Sequence, residues 1–88
     1  MPAIDISNTE AVAIDTACMT LMETVRRGRK KQKAYIEEDN DPDGAASLED
    51  GLSDLIRANR TLRLLLERAG WTSEMIGHAY KENANAAD

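Results

Sequence analysis

The sequence predicts an all-α fold: an antiparallel hairpin of two long helices followed by a short C-terminal helix, dimerising into a four-helix type of bundle. Three observations carry this expectation. Apolar residues recur at alternating spacings of four and three along two long segments, which is the period of one buried stripe on a helix. Capping signals bracket those segments, and an acidic stretch containing proline and glycine separates them. Leucines beside the second stripe also make its apolar surface wider than one neighbouring helix covers. With 88 residues a lone domain has a small core, and a second chain is a common supplement.

Residues 1–6 read as an N-terminal arm and residues 7–82 as a single helical domain, whose first helix spans 7–38. Ser7 and Glu10 form an S-x-x-E capping box, in which each side chain bonds the other residue's backbone N–H. Ile14, Cys18, Leu21 and Val25 then mark the stripe, and the same register continues to Gly28, Gln32 and Tyr35. A glycine inside a helix costs about 1 kcal/mol relative to alanine, so Gly28 points to a close helix crossing or a bend, the crossing being the more ordinary of the two.

Residues 39–46 read as a solvated acidic turn, with Pro42 and Gly44 as breakers. The second helix is expected over 48–69, opened by Ser47 with Asp50 as the capping acid. Gly70 closes it as a left-handed cap, and Trp71 supplies an apolar clasp. Leu48, Leu52, Leu55, Asn59, Leu62 and Leu66 form the seam. Asn59 is the expected specificity device, facing its symmetry mate or Gln32. A short helix over 73–82 turns Met75, Ile76, Ala79 and Tyr80 inward, and residues 83–88 form a flexible tail.

Composition narrows the function classes. Eleven Lys and Arg against sixteen Asp and Glu give a formal charge of −5, which disfavours indiscriminate attachment to polyanions. The chain has no Phe, one Trp and two Tyr, so it lacks the aromatic platforms on which single-stranded bases stack. A single cysteine allows no intramolecular disulfide and points to a reducing compartment. No apolar stretch approaches the roughly 20 residues of a membrane helix, and the N-terminus carries acids where a secretory signal carries lysines. The expectation is a cytoplasmic protein without membrane attachment.

No catalytic, cofactor-binding or metal-binding residues are expected, and no small-molecule substrate. His78 has no nucleophile or second histidine at useful spacing, and Cys18 reads as a small core residue. The acids at 37–43 depart from the EF-hand pattern, because Pro42 interrupts the ligand spacing and Gly51 stands where the bidentate glutamate belongs.

Two functional readings remain. In the first the protein is a non-enzymatic regulator acting by protein–protein contact, such as an inhibitor or anti-activator covering the oligomerisation surface of a transcription factor. Met19, Met22, Leu64, Leu65 and Trp71 are the candidate apolar anchors, bordered by Arg57, Arg60 and Arg63. In the second, RRGRKKQK binds nucleic acid through Arg26, Arg27, Arg29, Lys30, Lys31 and Lys33. The first is favoured, because Arg26, Arg27, Lys30 and Lys31 project away from the stripe as a solvent face does. An antiparallel hairpin also sets Glu49, Asp50 and Asp54 beside them. Pro42 and Gly44 separate the run from the leucine seam, unlike a bZIP basic region.

RLLLERAGWTSEMI, residues 63–76, resembles the opening of a helix-turn-helix domain, where one helix ends in A-G and the next begins with threonine and glutamate. Only HAYKENANAAD follows Gly77. The recognition helix of that family has no counterpart here, so no DNA-reading residue carries over.

Overall fold

Three helices and, among the described residues, no strand make up the chain: α1 (Asn8–Glu37), α2 (Pro42–Arg68) and α3 (Ser73–Ala86). The structure, a computed structural model, describes residues 4–86, with side chains as far as residue 84. The rest of the expected arm and tail lies outside the described residues.

The start of α1 follows the sequence. Glu10 N–H donates to Ser7 Oγ at 3.2 Å, and Ser7 N–H donates to Glu10 Oε1 at 2.9 Å. Its end is more abrupt than expected. Asn40 adopts a left-handed φ of 48°, which asparagine tolerates better than most side chains, and Asp41 N–H turns back to the Tyr35 carbonyl at 2.7 Å.

The second helix begins at Pro42, which corrects the expected start at 48 after Ser47. Asp41 is the N-cap and accepts from Gly44 N–H at 3.0 Å, with Pro42 in the first helical turn. A proline there costs nothing: its missing N–H would have no intrahelical partner, and its fixed φ already suits a helix. Asp41-Pro42 is therefore a start signal, and the acidic turn shrinks to residues 38–41.

The far end of α2 matches expectation. Gly70 has φ 83°, Gly70 N–H bonds Glu67 C=O and Trp71 N–H bonds Leu66 C=O, both at 2.9 Å. This is a Schellman motif. Thr72 Oγ1 then accepts from Met75 N–H at 3.2 Å and starts α3. The third helix runs to Ala86, beyond the expected end at 82, so residues 83–86 are helical rather than tail.

Side-chain pairs set the hairpin register. Gln32 Nε2 donates to Ala45 C=O at 3.1 Å, Cys18 Sγ faces Asn59 C=O at 3.9 Å, and Asp15 pairs with Arg63. Numbers rise on one helix as they fall on the other, so α1 and α2 are antiparallel. The buried apolar residues of the hairpin repeat every seventh position: Ala11, Cys18 and Val25 on α1, and Ala45, Leu52 and Leu66 on α2 with Asn59 between them. One heptad row from each helix thus forms the core. A Cβ on Gly28 would run into Cδ2 of Leu52, so close approach accounts for that glycine.

Helix α3 approaches the backbone of α1 but not that of α2. Of its described side chains only Ala79 is buried; Ile76 and Tyr80 are half-buried, and Met75, expected inward, is exposed. The molecule extends over 49 × 37 × 17 Å, with a radius of gyration of 17.1 Å. A compact chain of this length has a radius of about 12 Å.

Candidate interaction surface

The two faces of the hairpin differ in chemistry, for a reason that lies in helical geometry. Three residues beyond a buried position is about 60° back around a helix, and four residues beyond is about 40° forward. Because α1 and α2 are antiparallel, equal rotations on the two helices point to the same side of the hairpin.

The plus-three positions are Ile14, Leu21, Gly28 and Tyr35 on α1, and Leu48, Leu55, Leu62 and Ala69 on α2. All eight are half-exposed. Together they form an apolar groove along one face, and they are the second heptad row of each helix. The sequence places Leu48, Leu55 and Leu62 in the seam with Leu52 and Leu66. The structure divides that seam into a row closed by α1, where Leu52 and Leu66 are 3% and 2% exposed, and a row that α1 covers only in part.

The plus-four positions include Asp15, Met22 and Arg29 on α1, and Glu49, Ile56 and Arg63 on α2. Ion pairs cross this second face, Asp15 with Arg63 and Arg29 with Glu49. Gln32 Nε2 adds a bond to Glu49 Oε2 at 2.7 Å. The bonds from Gln32 and Arg29 hold the Glu49 carboxyl below the ordinary glutamate range.

Asp15 is the centre of a polar junction. It is 9% exposed, accepts from Arg63 of α2, and accepts from Tyr80 Oη of α3 at 2.7 Å. Thr16 Oγ1 lies 3.0 Å from the same hydroxyl, and Asn8 bonds Glu82 nearby. Burial pushes the Asp15 carboxyl up, but the bonds from Tyr80 and Arg63 and the guanidinium charge outweigh it and hold the group below the usual carboxylate range. Burial also raises the Tyr80 phenol and the Cys18 thiol. One carboxylate therefore ties all three helices together. Sequence reasoning missed this junction; the available signal was an acid lying directly beside the apolar stripe of α1.

The candidate anchors do not gather into one patch. Met19 and Met22 flank the ion-paired face on α1, and Leu64 faces outward from α2, with Met19 52% and Leu64 41% exposed. Half-buried Leu65 borders the groove, and half-buried Trp71 sits in the turn. Arg57 pairs with Asp54 at 3.5 Å, and Arg60 is exposed. Arg63, expected on a cationic border, is turned onto Asp15 instead. With Leu66, Glu67, Trp71 and Ile76 it lines a cleft of about 530 Å³ between the end of α2 and the start of α3.

One of the two partners expected for Asn59 is corrected: Gln32 bonds Ala45 and Glu49 instead, and it is the Asn59 backbone carbonyl that faces Cys18 Sγ within the chain. Asn59 Oδ1 is buried without a hydrogen-bond partner among the described residues, a cost that disfavours the pairing it sits in relative to a leucine there.

Half of the basic run is ion-paired inside the chain. Arg26 and Arg27 pair with Glu23, Arg27 at 3.5 Å, while Arg29 reaches Glu49 and also donates to Gln32 Oε1 at 2.9 Å. Lys30, Lys31 and Lys33 are exposed, with Lys31 Nζ 5.7 Å from the Tyr35 ring centroid. His78 is exposed, 4.0 Å from Glu74. Among the described residues no three His, Cys, Asp or Glu side chains come together as a metal site, and no helix is long and apolar enough to cross a membrane.

Comparison with known proteins gives no match: no family model, no curated protein and no solved structure aligns significantly with the chain.

Proposed function

We propose that the protein is a small non-enzymatic regulator that acts by protein–protein contact, working in the cytoplasm as paired hairpins that dimerise into a four-helix bundle. Its mode of action is to cover a partner's oligomerisation surface, as an inhibitor or anti-activator of a transcription factor does. One observation carries this reading: a complete second heptad row on each helix is half-exposed, running the length of the hairpin. Apolar surface of that extent on a small chain marks a protein-binding site. Exposed Met19, Met22 and Leu64 lie outside the groove and remain free for the regulated partner while copies pair.

Affinity capture from a cytoplasmic extract is expected to recover one protein in stoichiometric amount, retained when the captured material is afterwards treated with nuclease. Recovery of nucleic acid alone would replace this reading with the second one, which Lys30, Lys31 and Lys33 favour because they are exposed and in no ion pair among the described residues. Three phosphate contacts on duplex DNA would give a slope of log K against log salt of about −3.

A further inference from the structure

We infer that the cleft between the end of α2 and the start of α3 is an effector site for a free α-amino acid with an apolar side chain. Arg63 holds its carboxylate, Glu67 holds its ammonium group, and Leu66, Trp71 and Ile76 take the side chain. This adds a small ligand to the contact regulator proposed above and does not depend on that reading.

The lining carries the inference. At about 530 Å³ the cleft falls within the roughly 300–1,000 Å³ of small-molecule sites, which pair an apolar lining with a few convergent polar groups. Its apolar part is buried Leu66 with half-buried Trp71 and Ile76. Two opposite charges stand beside it, Arg63 and Glu67, one turn apart on α2, where Cβ atoms four residues apart are about 5–6 Å from each other. Such a pair can close on itself, but this one does not. Among the described residues the Arg63 side chain makes one hydrogen bond, from Nη1 to Asp15 of α1, so Nε and Nη2 keep their donors. The Glu67 carboxylate is exposed and has no partner among the described residues. Asp15 draws the guanidinium aside and leaves a cationic edge and an anionic group uncommitted over an apolar lining.

Charge selects the class of ligand. Asp15 already balances Arg63, so a bare carboxylate entering the cleft meets the uncompensated charge of Glu67. A bare amine satisfies Glu67 and leaves the donors of Arg63 unused. A zwitterion on one α-carbon spans both groups, with the planar guanidinium edge matched to its carboxylate. Leu66, Trp71 and Ile76 then favour an aliphatic or aromatic side chain over a polar one.

The site is built from two units that open separately. Arg63, Leu66 and Glu67 belong to α2, whereas Ile76 belongs to α3, whose attachment runs through α1. A ligand touching both sides binds only while α3 is docked, so it holds α3 in place by mass action.

Trp71 lines the cleft and is the only tryptophan of the chain, which makes its indole N–H resonance the reporter. L-Leucine and L-phenylalanine, titrated separately into the full chain, should shift it with half-saturation below about 1 mM for at least one of them. L-Leucinamide, without the carboxylate, and N-acetyl-L-leucine, without the ammonium group, should each bind at least about tenfold more weakly. Glu67→Gln, an exposed change whose helicity is checked by circular dichroism, should weaken binding about tenfold, while Arg68→Gln, next to it but outside the cleft, should stay within about twofold. At ten times the half-saturating concentration, amide exchange in α3 should slow about tenfold. No shift of the indole by either amino acid up to about 10 mM would overturn the site. Binding of the amide or the acetyl compound as tight as that of leucine would overturn the zwitterion, replacing it with a peptide N-terminus or C-terminus respectively. Each of these outcomes leaves the capture experiment to decide contact regulation.

Discussion

Helices α2 and α3 both pack on α1, but by different means. The α1–α2 seam is apolar apart from Asn59, closed by Leu52 and Leu66 against α1, whereas α3 buries Ala79 and is otherwise held by Tyr80, Thr16, Asp15 and the Asn8–Glu82 bond. An apolar seam is insensitive to the exact direction of each side chain and to pH. A polar clasp depends on both. The hairpin should therefore behave as the stable unit, with α3 a separately opening one.

The largest effect should come from the seam. Leu66→Ala removes a side chain that is 2% exposed and should cost about 3 kcal/mol in urea unfolding, at the lower part of the range for leucine because an open hairpin can relax. If Asp15→Ala cost as much, the distinction between seam and clasp would fail.

Next is Asp15→Ala, expected to cost about 2 kcal/mol by leaving Arg63 and Tyr80 without their shared acceptor. The effect should concentrate in α3, read as faster amide exchange there than in α1 and α2. Acid should reproduce it. Because the folded Asp15 carboxyl is held below its ordinary value near 4, its contribution is complete above that pH and is lost as pH falls through the lowered value. The groups facing Asp15 are Arg63 from α2, Tyr80 from α3 and Cys18 on its own helix, and none of these changes charge in that window. Amides of α3 should lose protection first as acid is added.

Tyr80→Phe keeps the ring and removes one bond to a carboxylate, so a loss of about 1 kcal/mol confined to α3 is expected in the same exchange measurement. Two glycines complete the series at similar size and opposite sign. Gly51→Ala meets nothing within 4 Å and should raise stability by about 0.5–1 kcal/mol, from helix propensity alone. Gly28→Ala has the same intrinsic gain but displaces Leu52, giving a net loss of about 1 kcal/mol. Equal shifts in thermal midpoint for the two variants would contradict the close crossing at Gly28.

Much of this architecture is legible in the sequence because its signals are local. The Ser7–Glu10 box, the four-three spacing and the Gly70 cap each lie within a turn or two of the backbone they control. Loop length is not local in that way. Reading Pro42 as a stop delays α2, and a longer loop shifts every facing pair toward higher numbers on α2, which moves Gln32 away from its true neighbour Ala45. The Asp15–Arg63–Tyr80 junction is hidden for a related reason, since its members are up to 65 positions apart and meet only once register and crossing are set. Arg63 resembled the solvent-facing arginines beside it, and composition alone cannot separate a cation on a rim from one aimed at a carboxylate.

Cys18, the only thiol in the chain, is 0% exposed and sits midway along the contact between the two long helices. Its enclosure and raised pKa suppress attack on any electrophile until the helices part. The native chain consequently carries its own chemical clock: the rate at which a small alkylating reagent consumes this sulfur records how often the hairpin breathes, without any label having to be introduced.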